Sequence, residues 1–280
     1  MTCVTVHRFR WVACQLDELK KCTKRRKTLD YILESLPATL EGTYDQILSR
    51  IPPADASGAA KLLLWLAFAN QPLHIDYLGV IVEFDMDKRD FDTDGRLSSS
   101  EDVLKICSSL VTRMNDNTVQ LAHASVKTYV LEKKRTIQSN IIMDPSIGDK
   151  FMGQCCLSYL LHTRENLLEK DSPSIWKSYQ GSLIRYAAMH WARHHLRSRE
   201  SWNVDDLQQM KNLFVQDSFA FQNWIKVYNF EADPFPTRQM KGQSLLWCSA
   251  LHGITSIVEW QLPSVIVMIT SISTYNAYTQ

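Results

Sequence analysis

Apolar residues recur at helical spacing along most of the chain, and the N-terminal part already carries two such stripes. The first runs from Phe9 to Leu19, where one helical face collects Trp11, Val12, Leu16 and Leu19. The second stripe consists of Leu36, Leu40, Tyr44, Ile47 and Ile51. It ends at two consecutive prolines, because proline disfavours helix in the residue before it. Residues 1–55 are therefore predicted to be helical.

The middle of the chain predicts three helices followed by a β-hairpin. Residues 59–70 are apolar almost all round, which is typical of a helix buried on most sides. Further helices are predicted near 76–83 and over 101–109. Strands at 110–114 and 118–122 flank Asn115 to Asn117, and asparagine and aspartate tolerate the positive φ of tight turns. This order predicts a winged-helix domain over 56–135, with a last helix from about Ala124.

Beyond Asp149 the pattern is wholly helical, so the predicted fold class is mainly α. Amphipathic stripes predict a helical bundle over 149–232. Residues 241–262 contain two short helical patterns on either side of Gly253, similar to the helix pair of one ankyrin repeat. Residues 263–280 carry no charge and are expected to be an irregular tail.

Composition narrows the functional classes. Hydrophobic residues make up 45% of the 280-residue chain and charged residues 22%, with a formal net charge of +1. That balance is typical of a globular protein and gives no overall attraction to nucleic acid or membranes. Seven cysteines occur without C-x-x-C spacing, which favours a reducing compartment. The chain shows no secretory signal pattern, and its longest apolar run is shorter than the roughly 20 residues that span a bilayer. A cytoplasmic location is predicted.

Motifs for catalysis are absent from the sequence. The chain has no G-x-x-x-x-G-K-[ST] loop to hold nucleotide phosphates and no G-x-S-x-G nucleophile elbow. Without either motif, the sequence supports no enzymatic activity and no cofactor of its own.

An ordered series of segments resembles the fungal NACHT and ankyrin-repeat proteins, which are NLR-like STAND proteins, in the region after the NTPase core. The resemblance covers roughly residues 8–260. Its segments are 9–17, 36–44, 64–73, 106–111, 119–130, 186–191 and 244–260. In these relatives the middle module is a winged-helix domain of the GPI inositol-deacylase type. The position that bears the family's histidine is His123, which follows the second strand of the hairpin.

The resemblance implies a regulatory role. In the family this histidine reaches the diphosphate of ADP and holds the resting state closed, so His123 is expected to contact ADP only when joined to a nucleotide-binding domain. The function implied is a non-catalytic segment whose winged helix acts as a lid and relays its state to ankyrin repeats. Expected partners are proteins: a NACHT nucleotide-binding domain or a second copy. Ala124 departs from the bulky residue usual after the histidine, and a single repeat is too few for a stable stack. The sequence is therefore expected to be an internal segment of a larger design.

A calcium site is the alternative interpretation. Residues 90–101 match the EF-hand loop, with carboxylates at Asp90, Asp92, Asp94 and Glu101 and a glycine at position six. Against this, residues 85–89 break the apolar stripe that an entering helix needs. Serines 98–100 followed by Glu101 also form a helix capping box, which explains the glutamate without a metal.

Two further patterns resemble binding sites, but each lacks a feature that binding would need. His190 and His194 lie four residues apart beside His195, a spacing that can hold zinc, but no carboxylate or cysteine is near in sequence. The basic run from Lys20 to Lys27 could follow phosphates. Acidic residues begin the predicted recognition helix at 101–109 and would repel a phosphate backbone, so no nucleic-acid partner is expected.

Overall fold

The computed structural model describes residues 2–21, 25–91, 100–132, 135–137, 141–162, 183–215, 218–232, 244–263 and 266. The fold is mainly α with small antiparallel sheets, as predicted. The chain divides into two compact units: Met1–Asp85 with Phe91–Gly148, and Met86–Asp90 with Asp149–Gln280. The predicted segments 1–55 and 56–135 fall in the first unit, while 149–232 and 241–262 fall in the second. Of the predicted tail at 263–280, only residues 263 and 266 are described.

Unit 1 begins with three helices, and the apolar stripe of the first is only partly buried. The helices are α1 (Thr2–Lys21), α2 (Arg26–Glu34) and α3 (Leu40–Ser49). Cys14 and Gln15 are buried on α1, whereas Val12 and Leu16 are 43% and 51% exposed. The Gln15 side-chain amide donates to the Thr43 hydroxyl of α3 at 2.8 Å, a buried hydrogen bond that joins the two helices.

Three helices and a small sheet then form the winged-helix domain. The helices are α4 (Ala56–Phe68), α5 (Ile75–Glu83) and α6 (Ser100–Cys107). The strands are β1 (Leu73–His74), β4 (Val111–Arg113) and β5 (Thr118–Leu121), in the sheet order β1-β5-β4. The hairpin confirms the predicted wing, with Asn117 at φ 63° in its turn. Helix α6 stops at Cys107, two residues before the predicted end, where the chain tightens into a 3₁₀ turn over Ser108–Leu110.

Helix α4 lies at the centre of this domain. Most of the residues of this helix are apolar, and it buries Leu62, Leu63 and Trp65 completely. Gly58 allows α4 to approach α5, because a Cβ there would lie 2.9 Å from Cγ1 of Val82. The chain passes from β5 into α7 (Ala124–Glu132), which also packs on α4. Two short hairpins complete the described strands: β2 (Phe84–Asp85) with β3 (Asp90–Phe91), and β6 (Arg135–Ile137) with β7 (Ile141–Met143).

Unit 2 is mostly helical in its described residues. The helices are α8 (Gly148–His162), α9 (Leu183–Ser198), α10 (Val204–Leu213), α11 (Phe219–Ala232), α12 (Leu245–Leu251) and α13 (255–263). Aromatic rings fill its core: the Trp191 and Phe214 rings lie 5.3 and 5.5 Å from that of Trp224. Helices α12 and α13 form the predicted helix pair, joined at Gly253 with φ 69°. None of the helices described for this chain is long and apolar enough to cross a membrane.

A buried carboxylate, Asp206, organises the polar interior of unit 2. Its Oδ1 accepts from Nε of Arg89 at 2.9 Å and from the Gln154 amide at 2.5 Å. Its Oδ2 accepts from the backbone N–H of Asn203 at 2.9 Å and lies 3.1 Å from Nζ of Lys150. Burial alone would raise the pKa of Asp206, but these hydrogen bonds together hold it below its ordinary value. The carboxylate is therefore charged and fully satisfied inside the fold.

Replacing this carboxylate should strongly destabilise unit 2. Asp206→Asn leaves Arg89 and Lys150 without their buried counter-charge, a change that costs about 3 kcal/mol of the free energy of unfolding. Urea denaturation followed by tryptophan fluorescence measures it. Asp205→Asn is the matched control, because Asp205 is 76% exposed and lies 3.7 Å from the same guanidinium. That control should cost at most about 1 kcal/mol. Equal losses in the two variants would contradict this account.

The loss of stability caused by Asp206→Asn should also depend on pH, and it should become smaller in acid. The native pKa of Asp206 lies below its ordinary value, so the folded state binds fewer protons than the unfolded state in the interval between the two values. Its contribution is therefore complete above about pH 4 and is lost as pH falls through the native pKa. The difference in stability between the wild type and Asp206→Asn should shrink on acidification from pH 5 to pH 3. A constant difference over that range would show that the charge is not responsible.

Candidate functional site

His123 occupies the junction between the last strand of the wing and α7. Strand β5 ends at Leu121, and the Ala122 N–H donates to the carbonyl of Leu110 at 2.9 Å, which ties the junction to the 3₁₀ turn that follows α6. The first turn of α7 is closed by Val126, whose N–H donates to the carbonyl of His123 at 3.0 Å. The Ser125 N–H donates to Nδ1 of His123 at 3.1 Å. His123 therefore caps the helix with its side chain.

A chain of polar groups fixes the orientation of this imidazole. Ser125 Oγ lies 2.7 Å from Nδ1 of His123 and 2.8 Å from the hydroxyl of the buried Tyr44 on α3. A second link joins the same helices, since the Tyr129 hydroxyl donates to Oδ1 of Asp45 at 2.5 Å. The rings of Tyr44 and Tyr129 meet edge-on with centroids 5.1 Å apart. Helix α3 thus holds the start of α7 through two tyrosines.

The hydrogen-bond pattern determines what His123 can do chemically. A backbone N–H can only donate, so the bond from Ser125 requires a lone pair on Nδ1. This assigns the ring proton to Nε2, which makes Nε2 a donor. A donor at that atom suits an anionic acceptor such as a phosphate oxygen. The capping role is present in the structure, and the predicted ADP contact stays a prediction.

The partners of His123 were not predicted from the sequence. In the sequence Tyr44 is one position of an apolar stripe, and no role is predicted for Ser125. The spacing of histidine and serine, two residues apart at a helix start, is the local signal that could have indicated a cap. Nothing in the local sequence indicates that Tyr44 joins them, because it lies 81 residues away from Ser125.

The predicted calcium ligands are only partly within the described residues. Asp92 and Asp94 lie outside them. The Glu101 carboxylate forms an ion pair with the guanidinium of Arg113, and Oδ1 of Asp90 lies 2.8 Å from Nε2 of His162. Calcium would have to compete with both contacts. The calcium alternative is not decided by this geometry and stays a prediction.

The three histidines of α9 lie in separate surroundings. His194 is fully buried, with Nδ1 2.6 Å from Asp149 Oδ1 and Nε2 2.9 Å from the Tyr186 hydroxyl. Burial, followed by the nearby His194, lowers the pKa of His190 to about 4. Burial likewise lowers the pKa of His195 to about 4. Across the described part of the chain, no three or more histidine, cysteine, aspartate or glutamate residues are grouped as a metal would require.

Five cysteines are buried: Cys14, Cys107, Cys155, Cys156 and Cys248. Burial raises the pKa of Cys107 to about 12 and that of Cys248 to about 11, and it also raises the pKa of Cys156. Because the thiolate is the reactive form of cysteine, these pKa shifts disfavour nucleophilic chemistry at Cys107, Cys156 and Cys248 at neutral pH.

The topology and the wing define the class of this domain, and the sequence comparison agrees with it. Residues 54–143 match the family described as "GPI inositol-deacylase, winged helix domain". The match begins just before α4 and ends at Met143 of β7, so it contains the three helices, the wing and His123. The chain therefore contains a winged-helix domain that is similar to this family, followed by a helical region.

A longer match relates most of the chain to one curated fungal protein. The chain is 30% identical over 228 residues to "Azaphilone pigments biosynthesis cluster protein L" of Monascus ruber. The match covers 77% of this chain and 47% of that protein, so the chain spans about half the length of this relative. No solved structure matches the chain significantly.

The hydrogen bond between Ser125 and Tyr44 beside His123 should make the stability effects of these two residues depend on each other. Ser125→Ala removes the partner of the buried Tyr44 hydroxyl, and leaving that hydroxyl unsatisfied costs about 2 kcal/mol of the free energy of unfolding. In the Ser125→Ala background, Tyr44→Phe should cost much less than it does in the wild type, because the hydroxyl is already without its acceptor. A double-mutant cycle of urea unfolding measures the coupling, expected near 1 kcal/mol. Additive effects of the two substitutions would contradict the hydrogen bond.

The calcium alternative has a direct test. Because Glu101 is already paired with Arg113, titration of the purified chain with millimolar Ca²⁺ is expected to give no binding heat. The Arg113→Gln variant removes the guanidinium that pairs with the Glu101 carboxylate, so it tests whether the released carboxylate can bind calcium. Binding by the wild type that is lost in Glu101→Gln would instead establish the calcium site.

Proposed function

We propose that the chain is a non-catalytic, cytoplasmic regulatory segment of a NACHT-type signal-transduction NTPase. Its winged helix would act as a lid on the nucleotide-binding domain and relay the nucleotide state to ankyrin repeats. The observation that best supports this proposal is the geometry of His123. Its Nδ1 is held by Ser125 within the domain, which assigns the ring proton to Nε2. An imidazole so oriented can donate to the β-phosphate of ADP bound by a partner domain.

Exposed apolar side chains support protein partners for the segment. Phe9, Val12 and Leu16 follow one another at helical spacing on α1, and Phe9 is 73% exposed. On helices α12 and α13, Trp247, Leu251 and Trp260 are exposed as well. Apolar aromatic groups at the surface are typical of contacts between proteins. These two surfaces lie in different units, so the segment offers one apolar surface on each.

Charge argues against a nucleic-acid role for the winged helix. Helix α6, which would be the recognition helix, begins with Glu101 and Asp102. Arg113 on the wing is paired with Glu101, and Lys105 is paired with Asp102 at 2.6 Å. The cations of this face are therefore already neutralised by carboxylates, whereas DNA binding needs cations available to phosphates.

The proposal predicts a nucleotide-dependent contact that depends on His123. A purified NACHT nucleotide-binding domain from a fungal NACHT–ankyrin protein is immobilised and loaded with ADP or with a non-hydrolysable ATP analogue. The chain should bind the ADP-loaded domain more tightly. His123→Ala should weaken that binding by about tenfold, since a charge-assisted hydrogen bond contributes about 1.5 kcal/mol or more. Binding to the ATP-analogue state should not change.

The chain offers a matched control for this substitution. His74 caps α5 in the same domain by accepting the Asp76 N–H on Nδ1 at 3.4 Å. His74→Ala removes a similar cap, so it should cost similar stability without altering the preference for ADP. Equal binding of the two nucleotide states by the wild-type chain would contradict the lid. ATP hydrolysis, or micromolar ADP binding by the chain alone, would contradict its non-catalytic role.

A further inference from the structure

The exposed apolar stripe of α1 ends in a cation. Phe9, Val12, Leu16 and Lys20 follow one another at intervals of three or four residues, which places them on one side of the helix. All four side chains are exposed. The other side of α1 packs on α3, where the Gln15 amide is hydrogen-bonded. The stripe and its terminal lysine are therefore presented to the outside of unit 1.

The start of α2 adds three cations at a position where cations are unfavourable. Arg25 is the N-cap residue, and Arg26 and Lys27 belong to the first turn. The N-terminal end of a helix carries a partial positive charge, which favours carboxylates and disfavours cations. The first turn of α2 contains no acidic residue, and Arg25 makes no side-chain capping bond. All three cations are exposed, so this helix start favours an anionic group from outside.

The end of α1 and the start of α2 are close along the chain. Lys20 and Arg25 are five residues apart, so their Cα atoms lie within about 18 Å of each other. We define the α1–α2 surface as the stripe Phe9, Val12 and Leu16 together with the cations Lys20, Arg25, Arg26 and Lys27. We propose that this surface binds an acidic amphipathic helix of a partner protein.

The shape and charge of the surface determine this choice of partner. Apolar side chains at helical spacing on one helix fit a second helix that presents its own apolar stripe. The cations at one end of the α1–α2 surface are complementary to carboxylates that flank such a stripe. Carboxylates near the start of α2 would also supply the negative charge that its first turn lacks.

Two observations favour a protein partner over a membrane surface. Asp30 and Glu34 are exposed on α2, and the negative headgroups of an anionic bilayer would repel these carboxylates. Trp11 has the side chain that membrane interfaces favour, but its indole N–H donates to the Pro37 carbonyl at 2.9 Å. An acidic helix can avoid Asp30 and Glu34 while its carboxylates reach the cations, because its charges are localised.

In the proposed lid this helix would belong to the nucleotide-binding domain, and to that extent the inference rests on the proposed function. The contact itself involves neither nucleotide nor His123. It can therefore be measured with the full chain and a peptide, and its failure would be distinguishable from a failure of the lid.

The test uses a fluorescein-labelled synthetic peptide of about 15 residues, stapled on its outer face because helices of that length are marginal in water. Leucine occupies every third or fourth position, and glutamate lies on both sides of the leucine stripe. The matched control peptide has lysine in place of each glutamate. Fluorescence anisotropy should show that the full chain binds the acidic peptide and not the basic one. Raising NaCl from about 50 to about 300 mM should weaken the binding, because salt screens exposed charges.

A substitution in the stripe tests the apolar part of the surface. Phe9→Ser should weaken binding of the acidic peptide by about tenfold, because a phenylalanine that becomes buried is a main apolar anchor. Phe9 is 73% exposed in the chain alone, so the fold should tolerate the change. Val204→Ser is the matched control, since Val204 is 82% exposed but lies on α10 in unit 2. It should leave binding unchanged.

A charge reversal tests the basic part and separates binding from folding. Arg26→Glu should weaken binding of the acidic peptide several-fold, because it places like charges together. The same variant should unfold at a higher urea concentration, since a carboxylate in the first turn of α2 complements the helix dipole. Arg193→Glu makes the same change in net charge at an exposed position on α9 and should not affect peptide binding.

The proposal fails if the acidic peptide does not bind at about 1 mM, or if the acidic and basic peptides bind alike. It also fails if Arg26→Glu and Arg193→Glu weaken binding equally. Stronger binding to vesicles of phosphatidylserine and phosphatidylcholine than to the peptide, lost in Phe9→Ser, would assign the surface to a membrane and overturn the protein partner.

Discussion

The burial of α4 on most sides is the constraint on which the winged-helix domain depends. Helices α5, α6 and α7 and strands β5 and β7 all pack against it. An apolar helix of this kind cannot remain in water, so the elements around it are fixed relative to one another. The end of β5 and the start of α7 are two of these elements, and His123 lies between them. The position of the candidate site therefore follows from the core, before any polar contact is considered.

Polar contacts then convert that position into a definite orientation. The domain uses uncharged groups for this purpose at His123, where a tyrosine, a serine and an imidazole form a buried chain. Unit 2 uses charge for the comparable task, with Asp206 held by Arg89, Lys150, the Gln154 amide and the backbone N–H of Asn203. The Asp206 cluster depends on an ionised carboxylate, so the support it gives to unit 2 is sensitive to acid.

Local sequence patterns predicted the elements that have a periodic apolar pattern or a characteristic turn. The apolar run of α4, the hairpin around Asn117 and the helix pair around Gly253 were all predicted, because each is encoded within about 15 residues of chain. Strand β1 has two residues and no detectable alternation, so it was not predicted. The burial of Gln15 on α1 was not predicted, because its hydrogen-bond partner Thr43 lies 28 residues away. The Arg89–Asp206 pair joins residues 117 positions apart, and no local pattern reports such a contact.

A single hydrogen bond from His123 contributes too little free energy to switch the proposed lid by itself. The contacts of Nδ1 lie within the domain and persist whether the lid is open or closed, so they cannot favour either state. Only a bond from Nε2 to a phosphate would distinguish the states, and one charge-assisted hydrogen bond contributes about 1.5–3 kcal/mol. Moving a switch from 1:99 to 99:1 requires about 5.5 kcal/mol. The remainder must come from surface that is buried in one state alone. The exposed stripe of Phe9, Val12 and Leu16 on α1 is a source of the right size, since burying such side chains contributes about 1.5–3 kcal/mol each.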